Sequence, residues 1–159
     1  MRAQTSSFIL VANGLDGLES GRVNGFEVTQ RRLRAKLWPL YANTPHRKEL
    51  KPGDRLIVYV AGAGMLAQHF VATADAGLIS SPIRYRADGA DTAGTPPAAV
   101  LNLVNPQLLS LPIAIRPILR RLSFVPKRSR KWGSVMHRGC KKISARDFRI
   151  IMHSAARQF

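Results

Sequence analysis

The sequence predicts an α+β fold, in which a small β-sheet is flanked by helices. Residues 51–75 hold the densest run of strand-forming residues, placed between two turn signals, and they predict a central β-hairpin. Residues 8–11 form a short apolar run that is typical of a buried strand. Two basic segments, residues 28–40 and the segment after Ser144, space their apolar residues as amphipathic helices do.

Length and composition favour a single domain that spans residues 1–159. The chain is 45% hydrophobic, which is enough to bury a core without covalent cross-links. Cys140 is the single cysteine, so a disulfide framework and a multi-cysteine metal site are excluded and a reducing compartment is favoured. The start of the chain has no apolar run long enough for a signal or a membrane span. We therefore expect a soluble protein of the cytoplasm.

The first forty residues predict a strand followed by a helix. The apolar run 8–11 ends at the Asn13-Gly14 turn signal, and residues 15–25 carry too many glycines for a stable helix. Residues 28–40 combine regularly spaced apolar residues with arginines and lysine, which predicts a basic amphipathic helix or helical turn that Pro39 stops.

The central hairpin is predicted from its turn residues. Pro52-Gly53-Asp54 is a turn from which a strand starts at Arg55 or Leu56, and Gly62-Ala63-Gly64 ends that strand. Residues 68–74 then return as the partner strand. Alternation predicts one shared face for the following residues: Gln68, Phe70, Ala72 and Ala74.

The glycines of this hairpin also offer an enzymatic alternative. Gly62-x-Gly64-x-x-Ala67 follows a strand and fits the relaxed dinucleotide-binding fingerprint, which would indicate a nucleotide-dependent enzyme. That fingerprint requires a helix after the glycines, whereas residues 70–73 are typical of a strand. A hairpin turn is the favoured interpretation.

The second half of the chain predicts further strands and a closing helix. Residues 98–104 are typical of a strand. Residues 108–118 are apolar, and Pro106, Pro112 and Pro117 favour an edge strand with turns there and not a helix. Residues 118–124 predict one or two helical turns. Ser144, with Asp147 three residues later, resembles a capping box and predicts the start of the final helix.

The charge of the chain makes a polyanion the expected partner. Twenty-five Lys and Arg stand against nine Asp and Glu, which gives a formal net charge of +16 at pH 7. Nucleic acid is favoured over a membrane surface because the basic residues lie on turns and short elements. A generic basic RNA-binding protein, in which charge alone provides the affinity for RNA, is an alternative. The histidines stand alone in the sequence, so we expect no catalysis, no cofactor and no metal site.

Several of these segments together resemble the EVE domains of the PUA-like superfamily, which are related to YTH domains. The match rests on Lys51-Pro-Gly-Asp-Arg at the entry to a tyrosine-containing strand, on Lys131-Trp132-Gly133, and on Ile143-Ser144 followed by Asp147-Phe148. The resemblance implies a small, partly open β-barrel of about five or six strands with flanking helices. It also implies binding of DNA or RNA that carries a modified base, flipped into an aromatic pocket. A nuclease partner, as in defence systems, is left open.

The resemblance and the aromatic loop at residues 38–47 together suggest site residues. The implied base pocket consists of five residues: Asn13, Trp38, Tyr41, Thr44 and Tyr59. Trp38 and Tyr41 could equally close over the core, because large aromatics often do. The candidate phosphate contacts are basic residues of the loop and of the second half of the chain: Arg47, Arg116, Arg120, Arg121, Lys127, Arg128, Arg130, Lys131 and Arg138.

The basic segments predict salt-dependent binding to nucleic acid. If about five phosphates are contacted, log affinity should fall against log salt with a slope of about −3.5 on single strands to about −4.5 on duplex. Replacement of Arg128, Arg130 and Lys131 by Ala should flatten the slope without a change of base preference, because phosphate contacts carry no sequence information. A salt titration measures both quantities, and a slope close to zero would contradict the prediction.

Overall fold

A six-stranded sheet forms the body of the protein. The structure is a computed structural model, and it describes residues 4–13, 15–17, 21–82, 97–126, 136 and 139–156. The described elements are β1 (Ser7–Ala12), β2 (Leu15–Gly17), β3 (Gly21–Val23), α1 (Gly25–Ala35), β4 (Leu37–Leu40), β5 (Arg55–Val60), β6 (His69–Ser80), β7 (Ala99–Ala114), a 3₁₀ helix (Arg116–Arg121), β8 (Cys140–Ile143) and α2 (Ala145–Ala156). None of the described helices is long and apolar enough to cross a bilayer.

The sheet has the strand order β4-β7-β6-β5-β1-β8. β1 and β5 pair in parallel, and the other neighbours in this sheet pair antiparallel. β2 and β3 form a separate two-stranded sheet. The α+β prediction and the central hairpin are confirmed, since β5 and β6 pair from Arg55↔Asp75 to Val60↔His69.

Two apolar cores lie on opposite faces of the sheet, because successive side chains of a strand point to opposite sides. Phe8 and Leu10 of β1 belong to the first core, and Ile9 and Val11 belong to the second. β4 and β8, at the two ends of the strand order, both place side chains in the first core. The sheet therefore curls around the first core as a half-barrel. The 3₁₀ helix and α2 cover the second core.

The predicted helix at residues 28–40 is confirmed up to Ala35 and wrong over residues 36–40. α1 ends at Ala35, and Lys36 adopts a left-handed conformation (φ 57°, ψ 34°) with its N–H directed to the carbonyls of Arg32 and Leu33. This αL cap reverses the chain into β4. Pro39 is tolerated within β4 because that strand lies at the edge of the sheet.

Two strand predictions also need correction. The prediction of separate strands at residues 98–104 and 108–118 is wrong, because residues 99–114 form the single strand β7. The prolines of β7, Pro106 and Pro112, lie beyond the segment that pairs with β4. Phe70 and Ala72 do not share a face, because a register shift between them sends Phe70 to the second core and Ala72 to the first.

The capping prediction at Ser144 is confirmed in part. The Ser144 hydroxyl accepts a hydrogen bond from the Asp147 N–H (3.0 Å), so it caps α2. The Asp147 carboxylate is buried and accepts hydrogen bonds from the backbone N–H and hydroxyl of Ser123. Asp147 thus ties the end of the 3₁₀ region to α2.

Trp38 lies in the first core, where it is 2% exposed, and the Arg32 guanidinium lies 4.6 Å from the centre of its ring. We predict that Trp38→Ala lowers the free energy of unfolding by about 3–5 kcal/mol, because it opens a large cavity in a packed core. Binding to every oligonucleotide should then fall alike. Urea unfolding and paired binding curves check this. An unchanged melting temperature with a loss confined to modified substrates would contradict it.

Candidate nucleic-acid interface

The parallel pairing of β1 and β5 places the carboxyl ends of both strands at one edge of the sheet. Asn13 follows β1 and is exposed, and Ala61 follows β5 and donates its N–H to the Ala12 carbonyl (2.9 Å). We call this the β1–β5 edge and define it by residues 12–13 and 60–61. Ligands of parallel sheets commonly bind outside the carboxyl ends of the strands.

The start of α1 docks directly on the β1–β5 edge. Asn24 caps the helix, and its side-chain oxygen accepts a hydrogen bond from the Glu27 N–H (2.9 Å). A Cβ atom on Gly25 would lie 2.8 Å from the Ala12 carbonyl oxygen and 3.0 Å from a methyl group of Val60. Only glycine allows this approach. The partial positive charge of the helix start therefore lies beside the strand ends.

The turn at residues 62–68 joins the same edge to Arg116. Gly62 and Gly64 have φ values of 83° and 101°, which are typical of glycine in a turn. The chain then enters β6, so the dinucleotide-binding fingerprint lacks the helix that it requires. Gln68 donates its N–H to the Val60 carbonyl (2.7 Å). Its side-chain oxygen accepts a hydrogen bond from Nε of Arg116 (3.1 Å), which fixes this exposed arginine at the edge.

The loop at residues 41–50 approaches the edge from β8. The Thr44 hydroxyl accepts a hydrogen bond from the Tyr41 N–H (2.9 Å), and Thr44 lies 3.8 Å from the Cβ position of Gly139. The Gly139 carbonyl in turn accepts a hydrogen bond from the Val11 N–H (3.0 Å). Tyr41 and Thr44 are therefore held close to the end of β1, and both are half-buried.

Ion pairing holds the far end of this loop against β8. Lys142 of β8 lies 3.6 Å from one carboxylate oxygen of Glu49, and His46 pairs with the other. The hydrogen bond from His46 holds the pKa of Glu49 below its ordinary value. Arg47 directs its Nε to the Ala42 carbonyl (3.4 Å), so this candidate phosphate contact lies on the same loop.

Trp38 and Tyr59 are not brought together. Trp38 lies in the first core and Tyr59 in the second, on opposite faces of the sheet, and each is 2% exposed. The Tyr59 ring packs against Phe70 with centroids 5.3 Å apart. Burial raises the pKa of Tyr59 to about 12, although the charge of Arg116 acts in the opposite direction. Neither ring presents an open face for stacking in this conformation.

Phe26 is an edge aromatic that the sequence did not single out. It is half-buried in the first turn of α1, directly after the docked Gly25, and packs against the first core. The signal that could have found it is the Asn24-Gly25 pair, which marks a helix start. Tyr41 and Phe26 are therefore two half-buried aromatic side chains on segments that contact the edge or its neighbouring strand end.

The structure places part of the predicted phosphate-binding set. Arg116 lies at the β1–β5 edge, and Arg120 and Arg121 are exposed at the end of the 3₁₀ helix. Arg47 lies on the loop at residues 41–50. The remaining five predicted contacts lie outside the described residues: Lys127, Arg128, Arg130, Lys131 and Arg138.

Other chemistry is sparse in the described part of the chain. No group of three or more His, Cys, Asp or Glu among the described residues could hold a metal ion. Burial raises the pKa of the Cys140 thiol to about 12, so this thiol stays protonated at neutral pH.

We predict that Gly25→Ala destabilises the fold by about 1–3 kcal/mol, because the new methyl group meets a backbone oxygen that no side-chain rotation can move. This clash exceeds the gain of at most about 1 kcal/mol from the better helix propensity of alanine. Gly139→Ala is the matched control, since a methyl group there would lie 3.8 Å from the Thr44 side chain, an ordinary van der Waals distance. Equal midpoints of urea unfolding for the two variants would contradict the prediction.

No protein-family model matches the sequence. No curated protein sequence matches it closely enough to indicate kinship.

Solved structures share its fold. Human THYN1, in complex with DNA that contains 5-methylcytosine, superposes with a TM-score of 0.61 at 11% identity, over 95% of this chain and 98% of that chain. The DUF55 domain of human thymocyte nuclear protein 1 gives a TM-score of 0.58 at 10% identity, over 94% and 98%. The N-terminal domain of McrB from Staphylothermus marinus gives 0.57 at 11% identity, over 95% of both chains. The predicted resemblance is thus confirmed at the level of fold, and the chain has the half-barrel of the EVE, or PUA-like, domains.

Proposed function

We propose that the protein binds nucleic acid at the β1–β5 edge and recognises a modified base there. The observation that carries the proposal is the shared fold with human THYN1, which was solved with DNA that contains 5-methylcytosine. The net charge of +16 independently favours a polyanion. A nuclease partner remains a further hypothesis.

The geometry of the edge suits a base taken out of a stack. Such a base needs an aromatic or apolar face to stack on and a few polar groups for its pairing edge. Tyr41 and Phe26 supply aromatic rings on two elements that meet the edge, and Asn13 and Thr44 supply donors and acceptors. Because Trp38 and Tyr59 are buried, we assign the stacking role to Tyr41 first.

Charge around the edge would position the phosphates. Arg116 is fixed there by Gln68, and Arg47 lies on the loop that carries Tyr41 and Thr44. Guanidinium groups bind phosphate oxygens through paired hydrogen bonds, which positions a strand without specifying its sequence. The proposal therefore separates base preference, assigned to Asn13, Tyr41 and Thr44, from salt-dependent affinity, assigned to the arginines.

The test compares matched oligonucleotides with and without a modified base. DNA duplexes with 5-methylcytosine or N6-methyladenine, and RNA strands with the same methylations, are titrated against their plain counterparts at one salt concentration. We expect one modified oligonucleotide to bind more tightly than its plain partner. Equal affinity within every pair would overturn the recognition of a modified base and leave a generic, charge-driven binder.

Tyr41→Ala tests the stacking face. We expect a loss of about 1–3 kcal/mol in affinity for the preferred modified oligonucleotide, with little change in melting temperature, because base–aromatic stacking contributes that much. Tyr41→Phe is the matched control and should retain the preference, since it keeps the ring. A Tyr41→Ala variant with an unchanged preference would assign the stacking face to another residue, and Phe26→Ala is then the variant to measure.

A further inference from the structure

Three arginines line one groove on the second-core side of the sheet. The groove lies between the end of the 3₁₀ helix and the start of α2, has a volume of about 610 Å³ and is partly open. Its walls carry Arg120, Arg121 and Arg146, all exposed, and Ser123. The buried side chains of Leu122 and Ile150 form its apolar part.

The walls of the groove are fixed to each other. Asp147 follows Arg146 in α2, is 1% exposed, and accepts hydrogen bonds from the Ser123 N–H (2.9 Å) and the Ser123 hydroxyl (2.5 Å). These bonds join the segment that follows Arg120 and Arg121 to the helix that carries Arg146. The two backbone segments that carry the three arginines are therefore held together before a ligand binds, which lowers the entropy lost on binding.

The three arginines have no acidic partner within the described part of the chain. Asp147, which follows Arg146 in the chain, is buried, and its carboxylate accepts hydrogen bonds from Ser123. None of the three forms a salt bridge with a described residue. Like charges that share a groove repel one another, and a bound anion relieves that repulsion. Guanidinium groups are especially suited to phosphate oxygens.

The 3₁₀ helix connects the β1–β5 edge to the groove. Arg116 at the start of this helix binds Gln68 at the edge, and Arg120 and Arg121 at its end line the groove. A 3₁₀ helix rises about 2 Å per residue, so about 8–10 Å separate the two ends. Phosphates follow one another about every 3.4 Å along the axis of a stacked strand, so this distance corresponds to about three phosphate positions.

We infer that the groove binds the phosphodiester backbone of the strand that leaves the β1–β5 edge, on one side of the recognised base only. This inference rests on the proposed function for the position of the base, but it concerns a separate surface. The groove extends the contact by about three nucleotides in one direction and adds affinity without adding base preference.

The experiment trims oligonucleotides one nucleotide at a time from either side of the modified base. For the unaltered protein, we expect trimming from one side to lower affinity as the groove is emptied, and trimming from the other side to have a smaller effect. The variant Arg120→Gln/Arg146→Gln should lose this asymmetry. Its salt slope on duplex should become shallower by about 1.8, which corresponds to two phosphate contacts. The ratio of modified to plain affinity should not change.

Arg149→Gln is the matched control, because Arg149 is an exposed arginine of the same helix that does not line the groove. It should keep the asymmetry and the salt slope. Arg120→Lys/Arg146→Lys keeps the charge and should restore most of the slope. Melting temperatures verify that all variants are folded.

The outcomes of this test separate the two proposals. If modified and plain oligonucleotides bind equally, the proposed base recognition fails, and the salt slopes of the groove variants on plain strands still test whether the groove binds phosphates. A groove variant with the asymmetry and slope of the unaltered protein would overturn the inference. A groove variant that loses the preference for the modified base would also overturn it, because the groove would then act in base recognition.

Discussion

The parallel pairing of β1 with β5 is the constraint on which the rest of the structure depends. All six residues of β1 are buried, and five of the six in β5 are buried. A slip of one residue would exchange the side chains of the two cores, so the register has to be fixed firmly. Asp54 contributes to this. Its buried carboxylate accepts hydrogen bonds from the N–H groups of Ser6 and Lys51, just before the pairing of Ser7 with Arg55 begins.

The same pairing determines where a ligand can bind. Parallel strands cannot be joined by a tight hairpin, and the chain between β1 and β5 includes α1 and β4, which help cover the first core. Both strands then end at one edge, and α1 starts there because Gly25 permits contact with Ala12 and Val60. The polar β1–β5 edge and the start of α1 beside it therefore both follow from the parallel pairing of β1 with β5.

The sequence was informative where local chemistry decides the structure and failed where distant residues decide it. The Pro52-Gly53-Asp54 turn, the central hairpin and the Ser144 cap follow from residues close in the chain, and they were found. β4 was missed because its start depends on Lys36 in a left-handed conformation. A glycine at this position would have indicated such a conformation, whereas a lysine does not. The opposite placement of Phe70 and Ala72 depends on a bulge against β7, a pairing between distant segments.

The candidate site divides in the same way. Asn13 could be placed from its position after β1, whereas the proximity of Thr44 to that strand runs through Gly139, almost a hundred residues away. Trp38 and Tyr59 could not be placed, because an aromatic residue is equally common in a core and in a pocket, and only the register assigns each ring to a face. The EVE resemblance supplied the fold, but it also implied that both rings belong to a base pocket, whereas the structure buries both.

The net charge of +16 overstates the number of cations that can meet a phosphate, because part of the basic set has a structural role. Arg32 is buried over Trp38, Arg55 lies 4.5 Å from the centre of the Phe148 ring, and Lys141 lies 5.3 Å from that of Phe124. Arg31 pairs with Glu27. The long side chains of these residues cover apolar surface as well as carrying charge. We therefore expect the affinity for a polyanion to depend on where the exposed basic residues lie and not on the net charge alone. Among the exposed arginines, Arg116 lies at the β1–β5 edge at the start of the 3₁₀ helix, and Arg120 and Arg121 at its end line the groove together with Arg146.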